Sequence, residues 1–125
     1  MFLVDTSALV GALTGSQQDK PTLVRLIQEG ERILLPTLVL YEFWRGPRTA
    51  EEIMRQEELL PRESAVPFGP GEARVAADLD RTLGRSRNRE MDIAIAAHAL
   101  VANAKLWTLN RRDFADIPGL DLRIP

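Results

Sequence analysis

Residues 1–13 of the chain, MFLVDTSALVGAL, join a short apolar run to a segment with helical character. The run FLV at 2–4 predicts a buried strand, and Thr6 and Ser7 are residue types that begin helices. Asp5 therefore lies between a strand and a helix, at the carboxyl end of the strand. Ligands of open α/β folds bind at this edge of the sheet, so the segment indicates both a fold class and a candidate site.

The alternation of short apolar strands with helices continues along the chain. Further strands are predicted at RILL (32–35) and LWTL (106–109), with weaker ones at AVPF (65–68) and LRI (122–124). Helices are predicted from Pro21 to about Gln28, over LVLYEFW (38–44), over 49–60, from Gly71 to Arg85 and from Glu90 to Ala104. This order is typical of a three-layer α/β/α domain with a central, mainly parallel sheet.

Composition excludes several kinds of site and suggests a location. The chain has no cysteine and a single histidine, His98, which excludes disulfides, thiolate zinc sites and multi-histidine metal centres. No segment approaches the ~20 apolar residues of a membrane helix, so we expect a soluble, cytoplasmic protein with no membrane contact. The length of 125 residues fits one domain, predicted to span residues 1–125.

Three carboxylates lie in segments that are otherwise apolar. Asp5 follows the first strand, Glu42 is the only charge in residues 33–44, and Asp92 is the only charge in residues 91–104. Burying an ionised carboxylate costs several kcal/mol unless a cation or good donors accompany it. The placement of these acids therefore needs an explanation.

Each acid has an ordinary explanation when it is considered alone. Asp5 could cap the helix that follows it, Glu42 could pair with Arg45, and Asp92 could be a first-turn acid that the helix dipole favours. Together these explanations leave open why three separate core segments each carry one acid. One or two bound divalent ions would explain all three.

The absence of histidine and cysteine clusters favours a hard cation, Mg²⁺ or Mn²⁺, with oxygen ligands. Such ions bind one or two carboxylates together with water and substrate phosphate oxygens. They activate a bound water and stabilise the charge that develops at a reacting phosphate. The acids therefore predict phosphodiester hydrolysis.

The segment TLNRRDF (108–114) supplies further candidates at the same edge of the sheet. Asn110 and Asp113 follow the last main strand, as Asp5 follows the first. Either could instead be an ordinary turn residue, Asp113 together with Asp116. Five arginines near the acids are candidates for contacts with substrate phosphates, with a solvated surface as the alternative: Arg85, Arg87, Arg89, Arg111 and Arg112.

Two other residue types are expected to serve the fold. His98 lies six residues after Asp92, about 240° round the helix, and so should face away from it. Trp44 and Trp107 are expected to be core or interface residues rather than platforms on which bases stack.

Four segments in register resemble one known family. These are FLVDTSALV (2–10), LYEFWRG (40–46), MDIAIAAHAL (91–100) and LWTLNRRDFADIPGL (106–120). Their order and spacing are similar to those of PIN-domain ribonucleases, specifically the VapC-type toxins of toxin–antitoxin pairs. The resemblance spans nearly the whole chain and implies a PIN fold, cleavage of RNA with Mg²⁺ or Mn²⁺, a homodimer, and inhibition by an antitoxin protein.

The resemblance also implies roles for individual residues. The metal-binding, catalytic acids would be Asp5, Glu42, Asp92 and Asp113. Thr6 or Ser7 would place a hydroxyl near the metal or phosphate, and Asn110 would organise the acids. The segment RSRNREMD (85–92) departs from many relatives because it lacks a glycine-rich lead-in, and it makes Glu90 a possible additional ligand.

Other enzyme classes fit less well, and one non-enzymatic alternative stays open. A phosphatase of the haloacid dehalogenase type needs a second aspartate two residues after the first, where this chain has Ser7. A response-regulator receiver domain needs a lysine after a late strand, whereas Lys105 precedes LWTL. The remaining alternative is a PIN-like module that binds RNA or a protein without cleaving.

Overall fold

A computed structural model describes residues 1–84 and 87–125, so the prediction for Arg85 falls outside the described residues. Three strands and six α-helices occur in this part of the chain: β1 (Phe2–Val4), α1 (Thr6–Leu13), α2 (Lys20–Gln28), β2 (Ile33–Leu34), α3 (Thr37–Arg45), α4 (Ala50–Leu59), α5 (Pro70–Thr82), α6 (Glu90–Ala102) and β3 (Lys105–Trp107). Two short 3₁₀ turns, at Arg62–Ser64 and Arg111–Asp113, complete the set. Each strongly predicted element is therefore present.

The sheet is parallel, with the strand order β2-β1-β3. In its register Leu3 lies opposite Leu34 on one side and Leu106 on the other. All three residues of β1 are buried, as expected of the central strand of a sheet covered by helices. The arrangement confirms the predicted α/β class and parallel sheet, and it places the residues after β1 and β3 next to each other at one edge.

The two weaker strands were wrong predictions. AVPF forms only an isolated bridge between Val66 and Pro36, because the following Pro67 has no N–H to continue a ladder. LRI likewise forms only the bridge between Leu122 and Leu106, and Ile124 is 68% exposed. LWTL was also placed slightly late, because β3 runs from Lys105 to Trp107.

Local sequence explains where the helices begin and end. Thr49 and Glu52 form a capping box at the start of α4, in which each side chain accepts from the main-chain N–H of the other residue. Asn103 ends α6 in the left-handed region, with φ of 52°, and the chain then turns directly into β3. This sharp ending brings α6 back against the sheet.

The core lies between the sheet and the helices. β1 contributes Leu3 and β3 contributes Trp107, both at most 1% exposed, and α6 contributes a buried face that contains Ala96, Ala97 and Ala99. Small side chains on this face permit close packing, and Asp92 lies in the first turn of the same helix. Among the described helices, none is long and apolar enough to cross a membrane.

Candidate active site

Asp5 is the most buried acid of the site, with 4% of its surface exposed. Its main-chain N–H donates to the carbonyl oxygen of Trp107 at 2.9 Å, which joins the ends of β1 and β3. Although Asp5 is the residue before α1, its side chain makes no capping hydrogen bond. Instead its Oδ2 accepts from Ser7 Oγ at 2.9 Å and from Thr108 Oγ1 at 2.7 Å. The capping explanation for this acid is therefore not what the structure shows.

The two hydroxyls that bind Asp5 are themselves fixed by the main chain. Ser7 Oγ accepts from the N–H of Leu109 at 2.9 Å, and Thr108 Oγ1 accepts from the N–H of Asn110 at 3.0 Å. Each hydroxyl can thus give its proton to Asp5 while a backbone donor occupies one of its lone pairs. The network holds the carboxylate in one orientation, as a metal ligand or a catalytic base requires.

Thr108 is a member of the site that the sequence reasoning missed. It is only 2% exposed and follows β3 directly. The signal was its place in TLNRRDF, one residue beyond the strand and beside the end of β1. Recognising Thr108 as a partner of Asp5 would have required knowledge that β1 and β3 are neighbours in the sheet.

Glu42 lies on α3 and is bound by a hydroxyl of α1. Thr6 Oγ1 donates to Glu42 Oε1 at 2.6 Å, between residues 36 positions apart. Arg45, the suggested ordinary partner of Glu42, instead has its guanidinium 5.4 Å from the ring centre of Tyr41. No ion pair joins Glu42 to Arg45 in the described part of the chain. The first helix therefore orients two acids, through Thr6 and Ser7.

Asp92 shows that the acids share one electrostatic environment. Its pKa is raised to about 6, first because burial penalises the charged form and then because Asp5, Asp113 and Glu42 repel a further negative charge. The nearby guanidinium of Arg89 opposes this rise without cancelling it. The start of a helix would lower the pKa of an acid, so the helix dipole does not account for the state of Asp92.

Asp113 lies at the end of the 3₁₀ turn and is exposed. Its N–H donates to the carbonyl oxygen of Asn110 at 3.0 Å, and Asn110 is exposed as well. Arg89 reaches this turn from the start of α6: it donates to both carboxylate oxygens of Asp116, at 2.8 and 2.7 Å, and to the carbonyl oxygen of Asp113 at 3.0 Å. Asp116 is therefore bound to Arg89.

The other residues suggested around the site fall into two groups. Arg87, Arg111 and Arg112 are exposed, and none of the three forms an ion pair within residues 1–84 and 87–125. Glu90 is exposed and lines a cavity of about 420 Å³ between α5 and α6, together with Phe68.

His98 and the tryptophans lie apart from the acids. His98 is 2% exposed and packs at 5.8 Å against the ring of Phe68, and burial lowers its pKa. Trp107 is a core residue, whereas Trp44 is 39% exposed and donates from Nε1 to Gln56. These positions agree with the prediction that His98 faces away from Asp92.

The chemistry of the donors fits a hard divalent cation. Asp5, Asp113 and Glu42 each raise the pKa of Asp92 by repelling its charge, and the guanidinium of Arg89 opposes them. A bound divalent ion would offset this repulsion and favour the ionised form of Asp92. Within the described residues, no group of three or more acidic or histidine side chains is already set at metal-binding spacing. The acids share an electrostatic field without closing on one point.

Comparison with known proteins gives consistent results across sequence and structure. The family model of the PIN domain matches residues 2–120. The chain is 33% identical to ribonuclease VapC19 of Mycobacterium tuberculosis over 132 aligned positions, covering 96% of this chain and 97% of the relative.

Two solved structures illustrate the similarity in fold. VapBC2 of Rickettsia felis, determined with a DNA fragment from its promoter, matches with a TM-score of 0.76 and 22% identity over 98% of this chain and 96% of the other. A toxin–antitoxin complex of Klebsiella pneumoniae matches with a TM-score of 0.71 and 22% identity over 96% and 95% of the two chains. At these identities the likeness concerns the fold.

Proposed function

Since the chain belongs to the PIN-domain family, we propose that it is an endoribonuclease that hydrolyses RNA phosphodiester bonds with Mg²⁺ or Mn²⁺, as the toxin of a type II toxin–antitoxin pair. The observation that carries the metal dependence is that Thr6 and Ser7, adjacent in α1, bind the carboxylates of Glu42 and Asp5 at 2.6 and 2.9 Å. The pKa of Asp92, raised first by burial and then by these acids and Asp113, agrees with it. Convergent negative charge that local arginines do not neutralise is suited to a divalent ion and to a substrate phosphate.

The proposed ligands are Asp5, Glu42, Asp92 and Asp113. A divalent ion held by such acids supplies an activated water and stabilises charge at the reacting phosphate. Ser7 and Thr108 keep the Asp5 carboxylate in a fixed orientation, and Thr6 does the same for Glu42.

Asp92 and Asp113 complete the proposed site from the other side. Asp92 becomes a carboxylate only above about pH 6 in the metal-free protein, so cation binding should weaken below that pH. Asp113 is exposed, as a ligand that faces incoming RNA would be. Asn110 is proposed to organise this segment, because its main chain bonds to both Thr108 and Asp113.

We assign RNA binding to the exposed arginines Arg87, Arg111 and Arg112, whose side chains can contact phosphates at the rim of the site. The formal charge of the chain is -2, and two bound divalent ions would change it to about +2, which favours a polyanion. The charge of the metal-free chain therefore does not argue against an RNA substrate.

The proposed partners follow from the same family membership. We propose a homodimer in the cytoplasm that an antitoxin protein inhibits, since a solved protein of similar fold is itself a toxin–antitoxin complex. Light scattering of the purified chain would test the dimer. Co-purification with the product of a neighbouring small open reading frame would test the antitoxin.

Cleavage of a labelled single-stranded RNA, with Mg²⁺, Mn²⁺ or EDTA, tests the proposed activity. The wild-type chain should cleave only with a metal ion, and Asp5→Asn should lower the rate by at least about a hundredfold, because it removes a ligand charge. Glu58→Gln, an exposed acid on α4, is the matched control and should cleave normally. Binding of RNA without metal-dependent cleavage would instead establish the non-catalytic alternative.

A further inference from the structure

Arg89 joins the two segments that carry Asp92 and Asp113. It precedes α6 directly and lies three positions before Asp92. Its Nη1 and Nη2 donate to the two carboxylate oxygens of Asp116 at 2.8 and 2.7 Å, and Nη2 also donates to the carbonyl oxygen of Asp113 at 3.0 Å. One hydrogen bond thus connects the start of α6 to the last residue of the 3₁₀ turn, and two more connect it to Asp116, three residues after the turn.

We infer that Arg89 and Asp116 are positioning residues, a clamp that fixes the turn bearing Asp113 against the helix bearing Asp92. The clamp would thereby set the separation of two of the four acids. This inference rests on the proposed function, which makes Asp92 and Asp113 metal ligands. Neither Arg89 nor Asp116 would touch the metal ion or the RNA.

The 3₁₀ turn that carries Asp113 has few other restraints, so the hydrogen bond from Arg89 is important for its position. Residues 111–113 form a single 3₁₀ turn, and all three are exposed. After the turn the chain is held by Phe114 and Ile117, which are 1% and 5% exposed. The hydrogen bond from Arg89 to the carbonyl oxygen of Asp113 is a direct restraint on the residue that carries the acid.

The chemistry of arginine suits this role better than that of lysine. A guanidinium binds a carboxylate through two parallel hydrogen bonds, which fixes both distance and angle, whereas an ammonium is a point charge on a flexible stem. The Arg89 side chain is 23% exposed and that of Asp116 is 53% exposed, so only the guanidinium side of the pair is partly shielded from water. A rotation of the guanidinium would break the hydrogen bond from Arg89 Nη2 to the carbonyl oxygen of Asp113.

A direct contact between Arg89 and RNA is the competing role, and the two roles predict opposite effects. If Arg89 bound phosphate, removing Asp116 would free the guanidinium and leave RNA binding unchanged or stronger. Arg89→Lys would then retain much of the affinity, because lysine also binds phosphate. If Arg89 is a clamp, both changes release the same turn and weaken metal binding.

The test compares Arg89→Lys, Asp116→Ala and the double variant with the wild-type chain. Each variant is assayed for Mn²⁺ affinity by calorimetry and for kcat and KM with a labelled RNA. We expect each single change to lower Mn²⁺ affinity and kcat roughly tenfold, with KM for RNA within about twofold, because supporting contacts of metal ligands typically have such effects. The double variant should be no worse than either single one, since both break one unit.

Arg123→Lys is the matched control, because Arg123 forms an exposed pair with Asp121 at 2.8 Å outside the site. It should leave Mn²⁺ affinity and cleavage unchanged. A urea unfolding curve for each variant, together with amide hydrogen exchange at residues 111–117, separates release of the turn from global unfolding. If Asp116→Ala fails to fold, Asp116→Asn replaces it.

The outcomes distinguish failure of the clamp from failure of the proposed function. If the wild-type chain binds Mn²⁺ but cleaves no RNA, the proposed activity fails, and Mn²⁺ affinity still tests the clamp. Wild-type Mn²⁺ affinity and kcat in both single variants would overturn the clamp. A raised KM confined to Arg89→Lys, with Asp116→Ala unaffected, would overturn it as well and make Arg89 an RNA contact.

Discussion

Replacing Asp92 with asparagine should stabilise the metal-free protein at neutral and alkaline pH. The folded pKa of Asp92 is about 6, above its ordinary value of 3.8. The folded state therefore holds this proton more tightly than the unfolded state, and its stability falls as the pH rises from about 4 to about 6. Above that range the full penalty of the charged carboxylate is present. Asparagine keeps the shape of the side chain and removes the charge.

The size of the effect follows from the change in pKa. The rise from 3.8 to about 6 corresponds to about 3 kcal/mol, at about 1.4 kcal/mol for each pKa unit. Asp92 is only partly buried, so solvent reduces both the cost of burying its charge and the repulsion from the other acids, and a gain of about 1.5 kcal/mol is the better expectation. For a chain of 125 residues this gain raises Tm by about 6 °C.

Urea unfolding in EDTA at pH 4 and pH 8, followed by tryptophan fluorescence, measures the difference. We expect Asp92→Asn to exceed the wild type in stability at pH 8 and to match it near pH 4, where the wild-type acid is protonated. Glu58→Gln, a change at an exposed acid, should alter stability by less than about 0.5 kcal/mol at either pH. Saturating Mn²⁺ should stabilise the wild type and have much less effect on Asp92→Asn.

Two results would refute this reasoning. Asp92→Asn could be no more stable than the wild type at pH 8, which would mean that the four acids do not repel one another appreciably. Its stability advantage could also be the same at pH 4 and pH 8, which would assign the effect to packing or hydrogen bonding instead of charge.

Three further changes test other parts of the account. Thr108→Val should slow cleavage about tenfold and destabilise the fold by about 1–2 kcal/mol, because it removes a buried donor to Asp5. Thr108→Ser keeps the hydroxyl and should retain most of the cleavage rate and most of the stability. Because burial lowers the pKa of His98, wild-type stability should fall as the pH drops below about 6.5. Thermal unfolding of His98→Leu at pH 5–7 should show a smaller dependence of stability on pH. An unchanged pH dependence would contradict this role of His98. The double change Arg111→Ala and Arg112→Ala should raise KM for RNA and reduce the salt dependence of binding by about two ions, while an unchanged salt dependence would exclude both as phosphate contacts.

Local signals in the sequence were sufficient for most of the fold. The run of Phe2 to Val4 followed by Asp5 and two hydroxyl residues predicted β1 and α1 with correct bounds. The helix predicted over residues 38–44 is also present, as α3, which begins after Pro36 and ends at Arg45 before Gly46. These elements depend on residues next to each other in the chain, where propensity and capping decide the structure.

Contacts between distant residues could not be predicted in the same way. The bond of Thr108 to Asp5 depends on β3 lying beside β1, and the pairing of Arg89 with Asp116 joins residues 27 positions apart. Neither pairing leaves a periodic pattern in the sequence. AVPF failed for a related reason: its apolar character was correct, but Pro67 and its position allow only one bridge to Pro36.

The acids of the site lie between these two cases. Their occurrence in apolar segments identified Asp5, Glu42 and Asp92 as unusual, since most charged residues avoid such surroundings. Which bonds each acid makes could be seen only in three dimensions. The ordinary partner suggested for Glu42 was Arg45, whereas its oxygen accepts from Thr6 of another helix.

The most direct test of the account is the position of a metal ion in crystals soaked with Mn²⁺. Anomalous diffraction should show density among the carboxylates of Asp5, Glu42, Asp92 and Asp113, and this density should be lost in Asp5→Asn. Density elsewhere on the protein, or none at saturating Mn²⁺, would contradict the claim that these four acids form one metal centre.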